Sequence, residues 1–174
     1  MSQTEIPKRT IDFRVTIDAT SLPHPQDDPG AAAEPTSIAQ EQGYIVVTAS
    51  REIMSQGAGD IAFAADVGDT LRFFISSGSN NFEQPVLLED IRHTEGDEIL
   101  GDCAIQVVER EAIAPDSDAL STHLFTRQFE FFECTVGGDG TGSYDLIFAL
   151  YDQDEDAQPR LVSHYRWALR LTKS

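Results

Sequence analysis

This sequence has few positively charged residues relative to its acids. Its 174 residues include 12 Lys and Arg against 30 Asp and Glu, so the formal net charge is −18. Proteins that bind nucleic acid neutralise phosphates with a basic face, and proteins that dock on anionic lipid use a basic patch. The composition therefore argues against nucleic-acid and membrane partners.

Long apolar runs are also missing. No stretch approaches the roughly 18 apolar residues of a membrane-spanning helix. The polar residues 1–9 lack the apolar run of a signal peptide. We therefore expect a soluble protein located in the cytoplasm.

Cysteine is scarce as well. Cys103 and Cys134 are the two cysteines of the chain, and each lies in an apolar, strand-like stretch without CxxC spacing. In a reducing compartment this pattern favours two buried free thiols over a disulfide. Two distant cysteines also offer too few ligands for a tetrahedral zinc site.

Alternation of apolar and polar residues with a period of two is the main positive signal. It is clearest in residues 11–17, 71–75, 144–151 and 165–171, and residues 44–49, 61–65, 105–108 and 124–136 are also predicted to be extended. Residues 86–91 fit either a strand or one helical turn. About seven to nine strands separated by turn signals, with little helix, predict an all-β fold. We expect an antiparallel two-layer β-sandwich, Ig-like or jelly-roll-like, built as a single domain over residues 1–174.

A long proline-rich loop is predicted over residues 19–42. It contains Pro23, Pro25, Pro29, Pro35 and Gly30, so no helix or strand is expected to run through it. Loops of this length inside a compact domain are usually functional or loosely ordered.

Polar loops at one end of the sandwich are the candidate binding site. The residues selected are Tyr44, Ser79, Asn80, Asn81 and Phe82. Loops on a rigid scaffold commonly carry binding, and the partner could be a small molecule, a glycan or a protein. The alternative is a plain connection, because asparagine is also a good turn former.

The acidic run Asp152, Asp154 and Asp156 is a weak candidate for a metal site. It resembles the start of a calcium-binding loop, but Ala157 and Ser163 stand where an EF-hand has its glycine and glutamate. A solvated hairpin loop is the favoured interpretation. No metal site and no cofactor are predicted.

No coherent catalytic motif is present, and we expect a protein that is not an enzyme. The four histidines are scattered, with no spacing typical of a metalloenzyme. Catalytic triads are assembled in space rather than in sequence. A hydrolase using His93, His123 or His164 with nearby acids therefore stays open as an alternative.

Four segments, in order along the chain, resemble the bacterial AidA/PixA inclusion-body protein family. They are IDFRVTID at 11–18, GAGDIAF at 57–63 with VGDTLR at 67–72, SNNFEQPVLL at 79–88 and YDLIFALY at 144–151. The resemblance implies a single-domain β-sandwich, quorum-regulated expression and, in some bacteria, crystalline intracellular inclusions. It brings no catalytic residues.

Three functions follow, in order of preference. The first is a non-enzymatic protein that binds a ligand or partner through its loops. The second is a structural or storage protein that self-associates into a homo-oligomer, and the third is the hydrolase. The acids lie mainly in loops and at outward strand positions, which favours a surface that resists aggregation. Assembly would therefore need counter-ions, low pH or a cationic partner.

Overall fold

Strands dominate the part of the chain that the computed structural model describes, which is residues 8–23, 34–48, 53–56, 59–116, 121–154 and 156–174. Two single-turn 3₁₀ segments, Ala19–Ser21 and Gln40–Gln42, accompany them. No helix in these residues is long and apolar enough to cross a bilayer. The strands are β1 Thr10–Ile17, β2 Thr36–Ser37, β3 Gly43–Val47, β4 Ile53–Gln56, β5 Asp60–Phe63, β6 Thr70–Ser77, β7 Val86–Gly96, β8 Leu100–Pro115, β9 Thr122–Val136, β10 Gly140–Gln153 and β11 Pro159–Lys173.

The strands form two sheets. The first has the order β3-β1-β6-β9-β8, and the second has the order β4-β5-β11-β10-β7, with β2 pairing to β11. The all-β sandwich predicted from the sequence is confirmed. Both sheets are mixed rather than wholly antiparallel, because β1 pairs parallel with β6 and β11 pairs parallel with β5 and β2. A period of two marks a half-buried strand but carries no information on the direction of its neighbour.

Aromatic rings join the two layers of the core. Phe13 on β1 stacks on Phe73 of β6 with a centroid separation of 4.8 Å, and it meets Phe63 of β5 edge-on at 5.6 Å. Because β5 belongs to the second sheet, this trio spans the interface between the sheets. Trp167 and Tyr165 on β11 are fully buried in the same core. The alternating apolar residues of β1 and β11 therefore face inward, as the sequence predicts.

The predicted long loop is anchored at both ends. Leu22 and Ile38 are buried, and the Tyr165 hydroxyl donates a hydrogen bond to the Pro23 carbonyl over 2.7 Å. Near the other end, the indole N–H of Trp167 donates to the Gln40 carbonyl over 3.3 Å. Residues 24–33 of this loop lie outside the described residues.

Residues 86–91, which fit either strand or helical turn by sequence, belong to β7.

The prediction of free thiols is wrong, because Cys103 and Cys134 form a disulfide. The two cysteines are direct cross-strand partners in the antiparallel β8–β9 pair, with a Cα–Cα distance of 4.1 Å. They are 31 residues apart in sequence, so only the pairing of the two strands brings them together.

The β8–β9 hairpin extends well beyond the first sheet. β9 pairs with β6 only through residues 132–135, whereas β8 and β9 stay paired as far as Pro115 and Thr122. Residues 106–115 and 122–131 therefore form ten pairs with each other alone, which we call the ribbon. At about 3.4 Å per residue the ribbon is roughly 30 Å long.

A buried carboxylate fixes the turn before β6. Asp69 is 2% exposed, and its carboxylate accepts hydrogen bonds from the backbone N–H groups of Arg9 and Asp66 over 2.8 and 2.9 Å. The Nε of Arg9 also lies 3.2 Å from this carboxylate. Burial raises the pKa of Asp69, but the two backbone hydrogen bonds and the Arg9 charge outweigh it and lower the pKa below the ordinary value.

We expect Asp69→Asn to lower the free energy of unfolding at pH 7 by about 1–3 kcal/mol, because it removes a charged acceptor from buried donors. A lowered folded-state pKa gives stability that is present above the ordinary aspartate pKa of about 3.9 and is lost as the pH falls through the folded value. The difference between wild type and variant should therefore shrink below about pH 4. Urea unfolding at several pH values measures it.

Asp66→Asn is the matched control for Asp69→Asn. Its carboxylate is exposed and bonds the same arginine over 3.1 Å. Exposed ion pairs contribute little, so we expect a loss of less than about 1 kcal/mol. Equal effects of the two variants would contradict the role assigned to Asp69.

Candidate functional site

The predicted binding loop is in large part a self-contained turn. Asn81 Oδ1 accepts hydrogen bonds from the backbone N–H groups of Ser77 and Val86 over 2.7 and 3.1 Å, and its Nδ2 donates to the Val86 carbonyl. The Ser79 hydroxyl lies 3.0 Å from the Ser77 hydroxyl and accepts from the Glu83 N–H. Asn80 and Asn81 have φ angles of 57° and 62°, which asparagine tolerates better than most residues. Ser79 and Asn81 thus hold the chain between β6 and β7.

The five predicted site residues are not gathered in one place. Asn80 and Asn81 line a cavity beside β6. Phe82 is 83% exposed and Tyr44 is 59% exposed, and neither lines that cavity. Tyr44 lies on β3, opposite Thr16 of β1, which in turn pairs with Ser76. Strand β1 therefore lies between Tyr44 and the end of β6 that leads into the turn.

The acidic loop after β10 is held by its own hydrogen bonds. Both carboxylate oxygens of Asp152 accept from Arg160, over 2.9 and 2.6 Å. Asp154 Oδ1 accepts from the backbone N–H groups of Asp156 and Gln158. Within the described ranges, no group of three His, Cys, Asp or Glu side chains is arranged to hold a metal ion. The loop is structured as a hairpin connection.

The histidines named for the hydrolase alternative lie apart. His123, near the tip of the ribbon, has its Nδ1 2.7 Å from Asp116. His164 on β11 has its Nε2 3.4 Å from Glu89, and His93 on β7 packs against Tyr144. None of the three histidines lines the cavity beside β6 or the neighbouring cavity between the ribbon and β1, both described below.

A groove lies along the outer face of the first sheet and, beside β6, reaches β7 of the second sheet. Two cavities, of about 460 and 420 Å³, share Arg14, Phe74, Phe129 and Phe131 as lining residues. Gln106, Val108 and Arg110 of the ribbon line the second cavity together with Arg14 and Arg72. The ribbon therefore curves over the outer face of β1 and β6. We call this feature the groove.

Arginines lie on the aromatic rings of the groove. The Arg14 guanidinium carbon is 4.5 Å from the Phe74 centroid, and that of Arg127 is 5.1 Å from the Phe129 centroid. Phe74 and Phe131 pack against each other at 4.9 Å. Such cation–π contacts contribute about 0.5–1 kcal/mol each at exposed sites. They hold the guanidinium groups over the rings.

The ribbon exposes large apolar side chains. Ile113 and Leu124 face each other across the strands near its tip and are 71% and 64% exposed. Val107, on the same face, is 57% exposed. The outer edge of β8 has no neighbouring strand among the described residues. A long unpaired edge with exposed apolar residues is typical of a site where another strand adds.

Comparison with known proteins identifies the family. The family model of PixA, the inclusion body protein, matches residues 9–172. The chain belongs to the PixA inclusion body protein family. A crystal structure of a PixA inclusion body protein from Burkholderia cenocepacia J2315 superposes with a TM-score of 0.76 at 18% identity, covering 99% of this chain and 100% of that one. No curated protein matches the chain.

PixA membership confirms the resemblance drawn from the four sequence segments, and the superposition shows the same fold. The groove was not predicted from the sequence. Part of its lining could have been found in the sequence, because an Arg and a Phe two residues apart on a strand share a face. Two such pairs are present, Arg72 with Phe74 on β6 and Arg127 with Phe129 on β9. The ribbon supplies the other wall of the groove, and its curvature becomes visible only in the structure.

Proposed function

We propose that this protein is a non-enzymatic structural protein of the inclusion-body type, and that copies associate through the ribbon. The observation that carries the proposal is a ten-pair ribbon with Ile113, Leu124 and Val107 exposed and with no described strand paired to the outer edge of β8. An isolated two-stranded hairpin is marginally stable in water. A second copy that pairs along β8 would extend the sheet and cover these side chains.

Symmetry supports a second copy as the occupant of the β8 edge. Antiparallel pairing of β8 with the β8 of another copy is a two-fold contact, the commonest arrangement in homo-oligomers. The description of the family as an inclusion body protein is consistent with self-association. Larger assemblies would need further contacts, and the outer edge of β7 also has no partner strand among the described residues.

Charge sets the conditions for assembly. At a net charge of −18 the copies repel each other, and salt screens that repulsion over about 10 Å at 0.1 M ionic strength. We therefore expect association to strengthen with added salt and as the pH falls toward the sequence pI of about 4.3. Quorum-dependent expression stays an expectation from the family resemblance, and a cytoplasmic location stays a prediction from the sequence.

The test is Ile113→Ser combined with Leu124→Ser, measured by static light scattering and sedimentation over a series of salt concentrations. Burying these two side chains against a partner contributes a few kcal/mol, so the variant should raise the dissociation constant at least about tenfold. Val67→Ser is the matched control, because Val67 is 64% exposed but lies in the turn before β6.

Two results would overturn this proposal. One is a protein that stays monomeric at high concentration in both low and high salt. The other is association that the ribbon variant and the Val67→Ser control weaken equally.

A further inference from the structure

The groove contains cations that have no carboxylate partner. Among the described residues, no carboxylate lies within ion-pair distance of Arg14, Arg110 or Arg127. The chain has more than twice as many acids as bases, so unpaired cations gathered on one face are not an effect of composition. Guanidinium groups that are left with free N–H donors are suited to an anion.

Two of these arginines are placed directly against each other. Arg110 on β8 and Arg127 on β9 are cross-strand partners, so their side chains leave the same face of the ribbon. Like charges in this relationship destabilise a sheet. An anion between them would offset this repulsion, because no carboxylate of the described residues is within ion-pair distance of either arginine.

Arg72 has a different role from Arg14 and Arg127. Its Nε donates to Asp12 Oδ1 over 2.8 Å, and its cross-strand partner on β9 is Glu133. Its guanidinium carbon also lies 5.4 Å from the Phe131 centroid. Asp12 neutralises Arg72, so Arg72 packs the floor of the groove. Glu111 and Glu133 also line the second cavity, but among the described residues neither is within ion-pair distance of Arg14, Arg110 or Arg127.

The size and lining of the groove limit the ligand. Each cavity, at about 460 and 420 Å³, is within the range that holds one small molecule. Phe74, Phe129 and Phe131 supply an apolar, ring-bearing surface beside the arginines. A long polyanion such as nucleic acid would be repelled by the net charge of −18. A small organic anion fits both the chemistry and the volume.

We propose that the groove binds a small molecule with a flat apolar or aromatic body and one carboxylate or phosphate group. The anionic group would be bound by Arg127, Arg110 and Arg14, and the phenylalanine rings would pack against the apolar body of the ligand. Asn80 and Asn81, which belong to the binding loop predicted from the sequence, also line the first cavity. This site is separate from the apolar face of the ribbon that carries the proposed assembly.

Three probes separate the parts of the proposal, and calorimetry or a fluorescence titration on dilute, non-assembled protein measures them. The probes are 1-naphthoate, which has ring and charge, inorganic phosphate, which has charge alone, and 1-naphthylmethanol, which has the ring alone. We expect 1-naphthoate to bind at least about tenfold more tightly than either of the others.

Variants then locate the site. Arg127→Ala and Arg14→Gln should each weaken 1-naphthoate binding by about tenfold, and Arg127→Lys should weaken it less, because it keeps the charge but loses the planar fork. Arg160→Gln is the matched control, since Arg160 is exposed and pairs with Asp152 away from the groove. It should leave the affinity unchanged. Near-UV circular dichroism checks that each variant is folded.

The proposal is overturned if 1-naphthoate shows no binding up to about 10 mM. It is also overturned if 1-naphthylmethanol or phosphate binds as tightly as 1-naphthoate, or if the folded groove variants bind as wild type does. Because the titrations use non-assembled protein and variants outside the apolar face of the ribbon, a failure here leaves the assembly proposal standing.

Discussion

Replacement of Trp167 by alanine is expected to lower the free energy of unfolding by about 3–5 kcal/mol, the range typical of large-to-small changes in a core. Trp167 is fully buried on β11, and its indole N–H donates to the Gln40 carbonyl. Gly43 of β3 lies directly against the indole ring, where a Cβ would collide with it. The ring therefore fills the space between the second sheet and the anchored end of the long loop, and its removal leaves a cavity there.

Urea unfolding followed by far-UV circular dichroism measures the effect of Trp167→Ala, because the variant loses the single tryptophan of the chain as a fluorophore. Val67→Ala is the control and should change stability by less than about 0.5 kcal/mol, since Val67 is 64% exposed. Gly43→Ala should also destabilise strongly, because the new Cβ has no room beside the indole. A loss below about 1 kcal/mol for Trp167→Ala would contradict this packing.

Reduction of the Cys103–Cys134 disulfide is expected to cost about 3–4 kcal/mol of stability. The bond joins residues 31 apart, and closing a loop of that length restricts the unfolded chain by roughly this amount. It also clamps β8 to β9 within the segment where β9 pairs with β6, since Cys134 is the partner of Leu71, just before the base of the ribbon. Thermal unfolding with and without dithiothreitol measures the change.

The double variant Cys103→Ala, Cys134→Ala is the control for reduction. It should have about the stability of the reduced wild type, and dithiothreitol should not change it further. Equal stability of oxidised and reduced wild type would contradict the prediction. Because disulfides are rare in reducing compartments, a cytoplasmic location predicts that the bond is open in the cell and forms when the protein is exposed to oxidant.

The sequence predicted the strands well and their partners poorly. Alternation in β1, β6, β10 and β11 identified both the strands and their buried faces, because a period of two follows directly from the geometry of a strand. The same signal says nothing about neighbours. The parallel pairing of β1 with β6 and the adjacency of Cys103 and Cys134 depend on which distant strand lies alongside.

The candidate site shows the same division. The turn at Asn80 and Asn81 was identified by its residue types, and the structure shows that the side chain of Asn81 is used to hold that turn. Arg14 lines one cavity with Arg127 and the other with Arg110, and this grouping could not be predicted because it needs the ribbon to curve over β1. The spacing of residues along one strand shows which side chains share a face of that strand. It does not show which other strand packs against that face.

The sequence by itself determined the fold class, the buried faces, the family and the net charge of −18. The net charge is a sum over the residues, and the other properties depend on short segments and on alternation within single strands. The tertiary structure alone decided the disulfide, the projecting ribbon and the arginine groove. Each of these depends on contacts between strands far apart in the chain. The net negative charge therefore describes the molecule as a whole, whereas the groove holds three arginines with no carboxylate of the described residues within ion-pair distance, which are Arg14, Arg110 and Arg127.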